Sequence, residues 1–526
     1  MARIEKTLPN FYRDSIALMQ VSARIEHFPG IARATAVMAT QANIALLEEA
    51  KLLSGKTPAR PNDLLIVIEG ADEDAVTSAM GETELALQET PKSSASATGV
   101  ASIPASSLEM ALEDMPDANF ALISTPGEYA ASEAEKALRL GLNVMVFSAN
   151  VSISDEVALK RLACNQDLFM MGPDCGTAIV NGIPLGFANA LQRGPVGLVA
   201  SAGTGLQEVT SLIDRAGIGI SQALGCGARD LSDEVGGISM LQGLTALAND
   251  ASTLVIVLIA KHPSLTTARR IYETAKKVGK PTVIAFLGVD IAGTDGTNIH
   301  MAETLEDAAR FAVNLSHGKR PPRVPKRKRT VLTSLAQEKV SRLSPQQKYI
   351  RGLFSGGTFC YEAQVLLSRQ IGTIWSNTPV NPANALSDSW TSREHTLIDL
   401  GDEVFTRGRP HPMIDQRLRL ERIAQEFNDP ETAVILFDVV LGYGAHINPA
   451  AEIADTIAAV RRNREGGEHD VVFVASVCGT AGDPQNLTQQ MDTLQKAGVL
   501  LASSNAAAAR LTVAVVMAGR KSMDAV

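Results

Sequence analysis

Gly194-Pro195-Val196-Gly197-Leu198-Val199-Ala200-Ser201-Ala202-Gly203-Thr204-Gly205-Leu206-Gln207-Glu208 reads as an apolar strand that runs straight into a Ser/Gly/Thr turn opening an amphipathic helix. A strand handing over to a helix in this way is the unit from which parallel α/β sheets are built. The first turn of such a helix has backbone N–H groups without intrahelical partners and sits at the positive end of the helix dipole. The turn Ser201, Ala202, Gly203, Thr204 and Gly205 is therefore a candidate cradle for phosphate or another oxyanion. Glycines at 203 and 205 let an anion approach the backbone closely. In many α/β turns the same residue types only cap the helix, so the neighbours decide between the two readings.

On either side of this segment, apolar strands alternate with helical patterns from about 100 to 315: Phe120–Ser124, Asn143–Ser148, Phe169–Gly172, Val196–Ser201, Leu254–Ala260 and Pro281–Leu287. Alternation of this kind implies right-handed βαβ units and mostly parallel sheets. It reads as two doubly wound domains, 100–190 Rossmann-like and 191–318 flavodoxin-like. Residues 347–526 repeat the grammar and form a third, in which Ser355, Gly356, Gly357 and Thr358 make a second candidate anion cradle before a helix. Residues 1–95 read as a small N-terminal α/β module, followed by a Ser/Thr/Ala-rich linker over 89–99. A basic stretch at 319–346, with Lys319, Arg320, Arg323, Lys326, Arg327, Lys328 and Arg329, reads as an interdomain tether. It has no interleaved aromatics on which bases would stack.

The 526 residues exceed a single core and suggest three or four domains at roughly 150 residues each. The net charge of -9 gives no general attraction to nucleic acid or an anionic membrane, so any anion chemistry is local. No apolar run approaches the roughly 20 residues of a membrane span, and the start lacks the apolar core of a secretory signal. The five cysteines are scattered and odd in number, which argues against a disulfide framework and for a reducing, cytoplasmic setting. Neither the cysteines nor the eight histidines fall at metal-ligand spacing, so no metal is expected.

Charged candidates follow the strands, where ligands of such sheets bind. Arg229, between Gly225-Cys226-Gly227 and Asp230, either clamps a phosphate or carboxylate or braces its loop against Asp230. Arg407, Arg409 and His411 form a second basic cluster. His446, in Gly442-Tyr443-Gly444-Ala445-His446, is either a proton donor or a helix-entry residue. Cys175 and Cys226 are flanked by glycine and read as residues of tight turns or as reactive thiols. Glu128 reads as ordinary first-turn helix charge.

Met171-Gly172-Pro173-Asp174-Cys175-Gly176, Asn181-Gly182 and the Gly194–Thr204 segment, in that order, resemble the α subunit of succinyl-CoA synthetase, with its GPNCPG and GxxGxVSRSGT segments. Gly225-Cys226-Gly227-Ala228-Arg229-Asp230 resembles its GIGGD stretch. Leu397–Gly401, Ala433–Asp438 and Leu500–Asn505 are similar to the ligase domain of the β subunit. The combined layout, with Met170–Ile179, Tyr349–Phe354 and His411–Asp415, resembles the FdrA family along nearly its whole length. That family carries an acyl-CoA synthetase name and an association with an oxamate carbamoyltransferase of ureide breakdown.

The ligase mechanism implied by the resemblance needs a phosphohistidine on a GHAGA loop, a glycine-rich CoA loop and an ATP-grasp domain. Here Gly288–His300 leads directly into the next helix without GHAGA, and His300 falls in a strand. Ala2–Asn10, compared with the CoA loop, has no glycine, and no P-loop or room for an ATP-grasp domain is evident. Lys261 and His262 stand where the ligases have a carboxylate that holds the phosphohistidine. The resemblance then implies a subunit of a heteromeric carbamoyltransferase that takes carbamoyl phosphate and a small anionic amide acid such as oxamate. The two cradles would hold anions, Arg229 and Arg409 would act as clamps and His446 as an acid. Partner chains are expected from the same operon. An acyl-CoA synthetase subunit that uses CoA and nucleotide through a partner, and a noncatalytic scaffold or anion-binding protein, stay open beside it.

Overall fold

A computed structural model describes residues 2–523 apart from 12, 14, 27, 41–42, 45–46, 49–51, 54–57, 61, 89–104, 106, 292–297, 322–331, 408 and 464–469. The linker 89–99, the basic residues 323–329 and residues 292–297 of the 288–300 segment compared with GHAGA lie outside the described residues. The chain divides into two compact units, 1–111 with 403–411, and 112–402 with 412–526.

In the first unit, β1 (Ala2–Leu8), β2 (Ile31–Met38) and β3 (Leu64–Gly70) form an antiparallel sheet in the order β1-β3-β2. Helices α1 (Ser15–Glu26) and α2 (Glu73–Gln88) accompany it. Central β3 is an almost unbroken apolar run, and Leu64, Ile66 and Ile68 pack with Leu18, Ile25, Val76 and Met80. This placement corrects one expectation. Ala2–Asn10 begins an antiparallel sheet, so it is not the first strand of a Rossmann-like unit, and its lack of glycine says nothing about CoA.

The second unit holds three sheets. The smallest is parallel, with β4 (Phe120–Ile123), β5 (Asn143–Val146) and β6 (Met170–Met171), connected by α3 (Gly127–Arg139) and α4 (Ile153–Asn165). The next begins with a hairpin, β7 (Thr177–Val180) and β8 (Ile183–Gly186), then β9 (Arg193–Ala200), β10 (Ile220–Gly225), β11 (Val255–Lys261), β12 (Thr282–Leu287) and β13 (Ile299–Met301). Its order is β13-β12-β11-β9-β10-β7-β8. Only the hairpin is antiparallel, and it pairs with β10, although its residues fall in the stretch 100–190 that reads from sequence as the Rossmann-like domain. Its helices are α5 (Gly203–Arg215), α6 (Ile238–Asn249), α7 (Leu265–Ala275) and α8 (Leu305–Ser316).

The last sheet is parallel throughout, in the order β15-β14-β16-β17-β18. Its strands are β14 (Tyr349–Phe354), β15 (Thr396–Asp399), β16 (Thr432–Val440), β17 (Val472–Cys478) and β18 (Leu500–Ala502). Helices α9 (Gly357–Ile371), α10 (Arg417–Asn428), α11 (Pro449–Asn463), α12 (Leu487–Lys496) and α13 (Asn505–Met523) cover it. β11 and β16 are buried along nearly their whole length, which is why they read as continuous apolar runs without alternation. Gly197 within β9 admits α6: a Cβ there would lie 2.8 Å from Leu247. One continuous core, with Leu206, Val209, Phe354, Phe359, Leu367 and Val513, runs between the two larger sheets. Among the described residues no helix is long and apolar enough to cross a membrane.

Candidate functional site

Ser201-Ala202-Gly203-Thr204-Gly205-Leu206-Gln207-Glu208 and Ser355-Gly356-Gly357-Thr358-Phe359-Cys360-Tyr361-Glu362 share the pattern S-x-G-T-x-x-x-E. Each follows a buried strand, and each opens a helix. The two openings meet: a Cβ on Gly205 would lie 2.9 Å from Thr358 Cγ2, and one on Gly356 would lie 2.8 Å from Thr204 Oγ1. Only residues as small as glycine allow this approach. The caps Ala202 and Gly356 offer no side-chain acceptor, so the first-turn N–H groups of α5 and α9 converge without a cap. Two positive dipole ends facing each other repel, and an anion between them removes the repulsion.

The two cradles are not equivalent. Ser355 N–H and Oγ–H donate to Asp438 at 2.7 and 2.8 Å, and Gly356 N–H donates to the same carboxylate at 3.0 Å. Asp438 is fully buried and paired with Arg419 at 3.2 Å. An internal carboxylate thus occupies the first half of the second cradle, which corrects the expectation that all four residues 355–358 face a ligand; Gly357 and Thr358 remain. In the first cradle, Ser201 N–H donates to Ile259 O, while the buried Ser201 Oγ has no hydrogen-bond partner among the described residues.

Lys261 closes β11, and its Nζ would lie 2.9 Å from a Cβ on Gly357. No ion pair of this ammonium within 4.0 Å occurs among the described residues. A cation held beside a helix N-terminus is in an unfavourable field unless an anion joins them. Asp399, at the end of β15, reaches the same point of Gly357 with Oδ2, while its Oδ1 accepts from Gly401 N–H at 3.0 Å. Burial pushes the Asp399 carboxyl up to about 6, opposed by Lys261. Asp174 stands exposed on the turn after β6, and its charge interacts with Lys261 and Arg229. Sequence reasoning noted Lys261 only as a departure from the ligases and passed over Asp399. The available signal was their place at the carboxyl ends of β11 and β15.

Arg229 does not brace against Asp230. Its guanidinium donates to Val151 O at 2.7 Å and pairs with buried Glu156 at 2.9 Å. Asp230 instead caps α6 through Ser239 and Met240 N–H and pairs with Lys160 at 2.7 Å. His446 fits the helix-entry alternative: Nδ1 accepts from Asn448 N–H at 3.1 Å and Nε2 lies 3.2 Å from Glu452 in the first turn of α11. Arg407, Arg409 and His411 fall in the segment grouped with the N-terminal unit, where Arg407 pairs with Glu403 at 2.5 Å and Arg409 N–H donates to Thr406 O. His300 sits in β13, where burial lowers its basicity. Glu128 lies in the first turn of α3. Cys175 and Cys226 are buried, and desolvation pushes the first to about 12 and the second well above its ordinary value.

Residues 353–515 match the CoA-ligase family, and residues 1–103 match a domain described as AllF, heavy metal-associated domain. The uncharacterized protein YahF of Escherichia coli (strain K12) is 40% identical over 498 residues, covering 94% of this chain and 95% of YahF. The α subunit of the ADP-forming succinate–CoA ligase of Aquifex aeolicus (strain VF5) is 24% identical over 215 residues, 37% of this chain and 69% of that subunit. Among solved structures, the dinucleotide-forming acetyl-coenzyme A synthetase 1 of Ca. Korarchaeum cryptofilum is similar at 14% identity and a TM-score of 0.32, over 83% of this chain and 88% of that one. The fold and the paired helix openings define a succinyl-CoA synthetase-like α/β protein with a CoA-ligase domain. Within that class, the chain belongs to the family of YahF. Residues 1–103 contain no cysteine, so the likeness to a heavy metal-associated domain brings no thiolate ligand with it.

Proposed function

We propose that the chain is a subunit of a heteromeric carbamoyltransferase of the FdrA type, acting on carbamoyl phosphate and a small amide acid such as oxamate in ureide catabolism. The observation that carries this reading is the convergence of the α5 and α9 openings with the Lys261 ammonium at Gly357. A phosphohistidine enzyme gains from a carboxylate that orients its histidine, whereas a pocket with a cation at that place suits a substrate already carrying phosphate. The AllF description of the N-terminal domain points to allantoin breakdown and supports the same reading. In it, the N–H groups of Gly203, Thr204, Gly357 and Thr358 hold the phosphate, and Lys261 stabilises the charge that grows on it as the carbamoyl group leaves. Arg229, held by Glu156, faces the charge of Asp174. The chemistry requires orientation and fixed charge but no cofactor of its own. Operon neighbours supply the remaining chains, in the cytoplasm, with no role for nucleic acid or membrane.

Phosphate release from carbamoyl phosphate and oxamate by the chain co-purified with its operon neighbours tests this. Release above the uncatalysed rate is expected, and none in any combination would sink the reading. The CoA-ligase match over 353–515 favours a second reading, an acyl-CoA synthetase subunit that uses CoA and nucleotide through a partner. Labelled ATP leaving acid-labile phosphate on any chain of the complex would select it.

A further inference from the structure

We propose that Asp399 is the proton acceptor of the transfer step, taking the proton of the incoming amide nitrogen on Oδ2 as that nitrogen bonds the carbamoyl carbon. The inference rests on the carbamoyltransferase reading above. The parallel pairing of Phe354 with Asp399 puts this carboxyl at the carboxyl end of β15, beside the first residues of α9. Its backbone is latched in both directions: Asp399 N–H donates to Asn377 Oδ1 at 2.9 Å, and Asn377 Nδ2 donates to Asp399 O at 3.0 Å. Oδ1 is held by Gly401 N–H. Oδ2 has no hydrogen bond among the described residues and lies against Gly357, where Lys261 Nζ also arrives. Asp399 as a whole is buried, with 5% of its surface exposed.

The charged and titratable groups facing Asp399 are Lys261 from β11, Asp402 from its own loop, Asp438 from β16 and Cys360 from α9. Burial raises its pKa to about 6; Asp402 and Asp438 push the same way, while Lys261 and the Gly401 N–H pull down. A carboxyl titrating there is ionised at neutral pH yet basic enough to accept a proton in a transition state. The step balances without another reactant. The N–C bond forms as the carbamoyl C–O bond to phosphate breaks, and the amide proton goes to Oδ2. Asp399 then returns it to the departing phosphate oxygen, which leaves as monohydrogen phosphate.

The test compares wild type and Asp399→Asn, each co-purified with the operon neighbours, by phosphate release from carbamoyl phosphate and oxamate across pH. Asparagine keeps the acceptor for Gly401 N–H. Wild-type kcat should fall on the acid side through a limb near 6. Asp399→Asn should lower kcat by about 10²- to 10⁴-fold and abolish that limb, with the KM for carbamoyl phosphate changed less than about threefold. Wild-type turnover together with a variant keeping more than about a third of kcat overturns the role of Asp399 alone. No wild-type turnover overturns the carbamoyltransferase reading and this role with it. Should the variant melt below assay temperature, the wild-type profile decides, and a kcat flat between about pH 5 and 7 overturns the proposal.

Discussion

Lys261 brings a charge to the end of β11, an otherwise apolar buried strand, and holds it at Gly357 beside the opening of α9. Charge-assisted hydrogen bonds are worth roughly 1.5–3 kcal/mol. Lys261→Met should therefore weaken phosphate binding about 10- to 100-fold. The readout is the rise in melting temperature on adding inorganic phosphate, which should shrink in the variant while its melting temperature without phosphate stays near wild type. Equal protection of both proteins removes Lys261 from the site. The cysteines behave in the opposite way. Cys175, Cys226, Cys360 and Cys478 are buried, and desolvation raises all four thiols. Maleimide at neutral pH should label native protein at Cys164 alone, slowly, since burial raises that thiol too. Rapid native labelling of Cys175 or Cys226, located by peptide mapping, would restore them as nucleophile candidates.

At the scale of elements, α4 is joined to the neighbouring sheet by a buried ionic cluster. Lys160 on α4 is fully buried and donates to Glu156 at 2.8 Å, Asp230 at 2.7 Å and Cys226 O at 2.9 Å. Burial pushes its ammonium toward the neutral form, but Asp230 and Glu156 outweigh this and the net shift is upward. Asp230 in turn caps α6, and Glu156 holds Arg229. One side chain thus couples α4, α6 and the loop after β10. Lys160→Met leaves buried Asp230 without a cation, while Glu156 keeps Arg229, and should cost about 3–5 kcal/mol, measured by denaturant unfolding. A loss under about 1 kcal/mol would mean that the cluster relaxes or takes up protons instead. The paired openings of α5 and α9 belong to the same scale. Their turn chemistry was legible as two candidate cradles, and the shared S-x-G-T-x-x-x-E pattern was available in the chain as a sign that they are counterparts. Their meeting was not legible, because 154 positions separate Ser201 from Ser355 and spacing carries no information about contacts that distant.

Across the whole second unit, two buried carboxyls sit where α5, α9 and α13 come together. Glu208 accepts from Asn505 N–H at 2.9 Å, and Glu362 accepts from Asn505 Nδ2 at 2.7 Å and from Leu305 N–H at 2.7 Å. Burial raises Glu208 to about 6 and Glu362 to about 7, from an ordinary 4.5. Between these values the folded protein binds more protons than the unfolded chain. The stability these groups contribute is therefore full below about 4.5 and lost as pH rises through about 6 to 7. Denaturant unfolding should show that contribution declining over this window in wild type and less steeply in Glu362→Gln; parallel profiles would place the titration elsewhere. The α/β class, the strands beginning near Phe120, Asn143, Phe169, Val196, Leu254, Pro281 and Tyr349 and both candidate cradles follow from the chain itself, since hydrophobic period and turn chemistry are local properties, whereas the β7–β8 hairpin and the strands β10 and β18 did not stand out by period. The antiparallel pairing of Ala2–Leu8, the filling of Ser355 and Gly356 by Asp438, the release of Asp230 from Arg229 and the gathering of Lys261 and Asp399 at Gly357 were decided by tertiary structure alone. Each depends on which groups distant in the chain come to face one another, and only packing determines that.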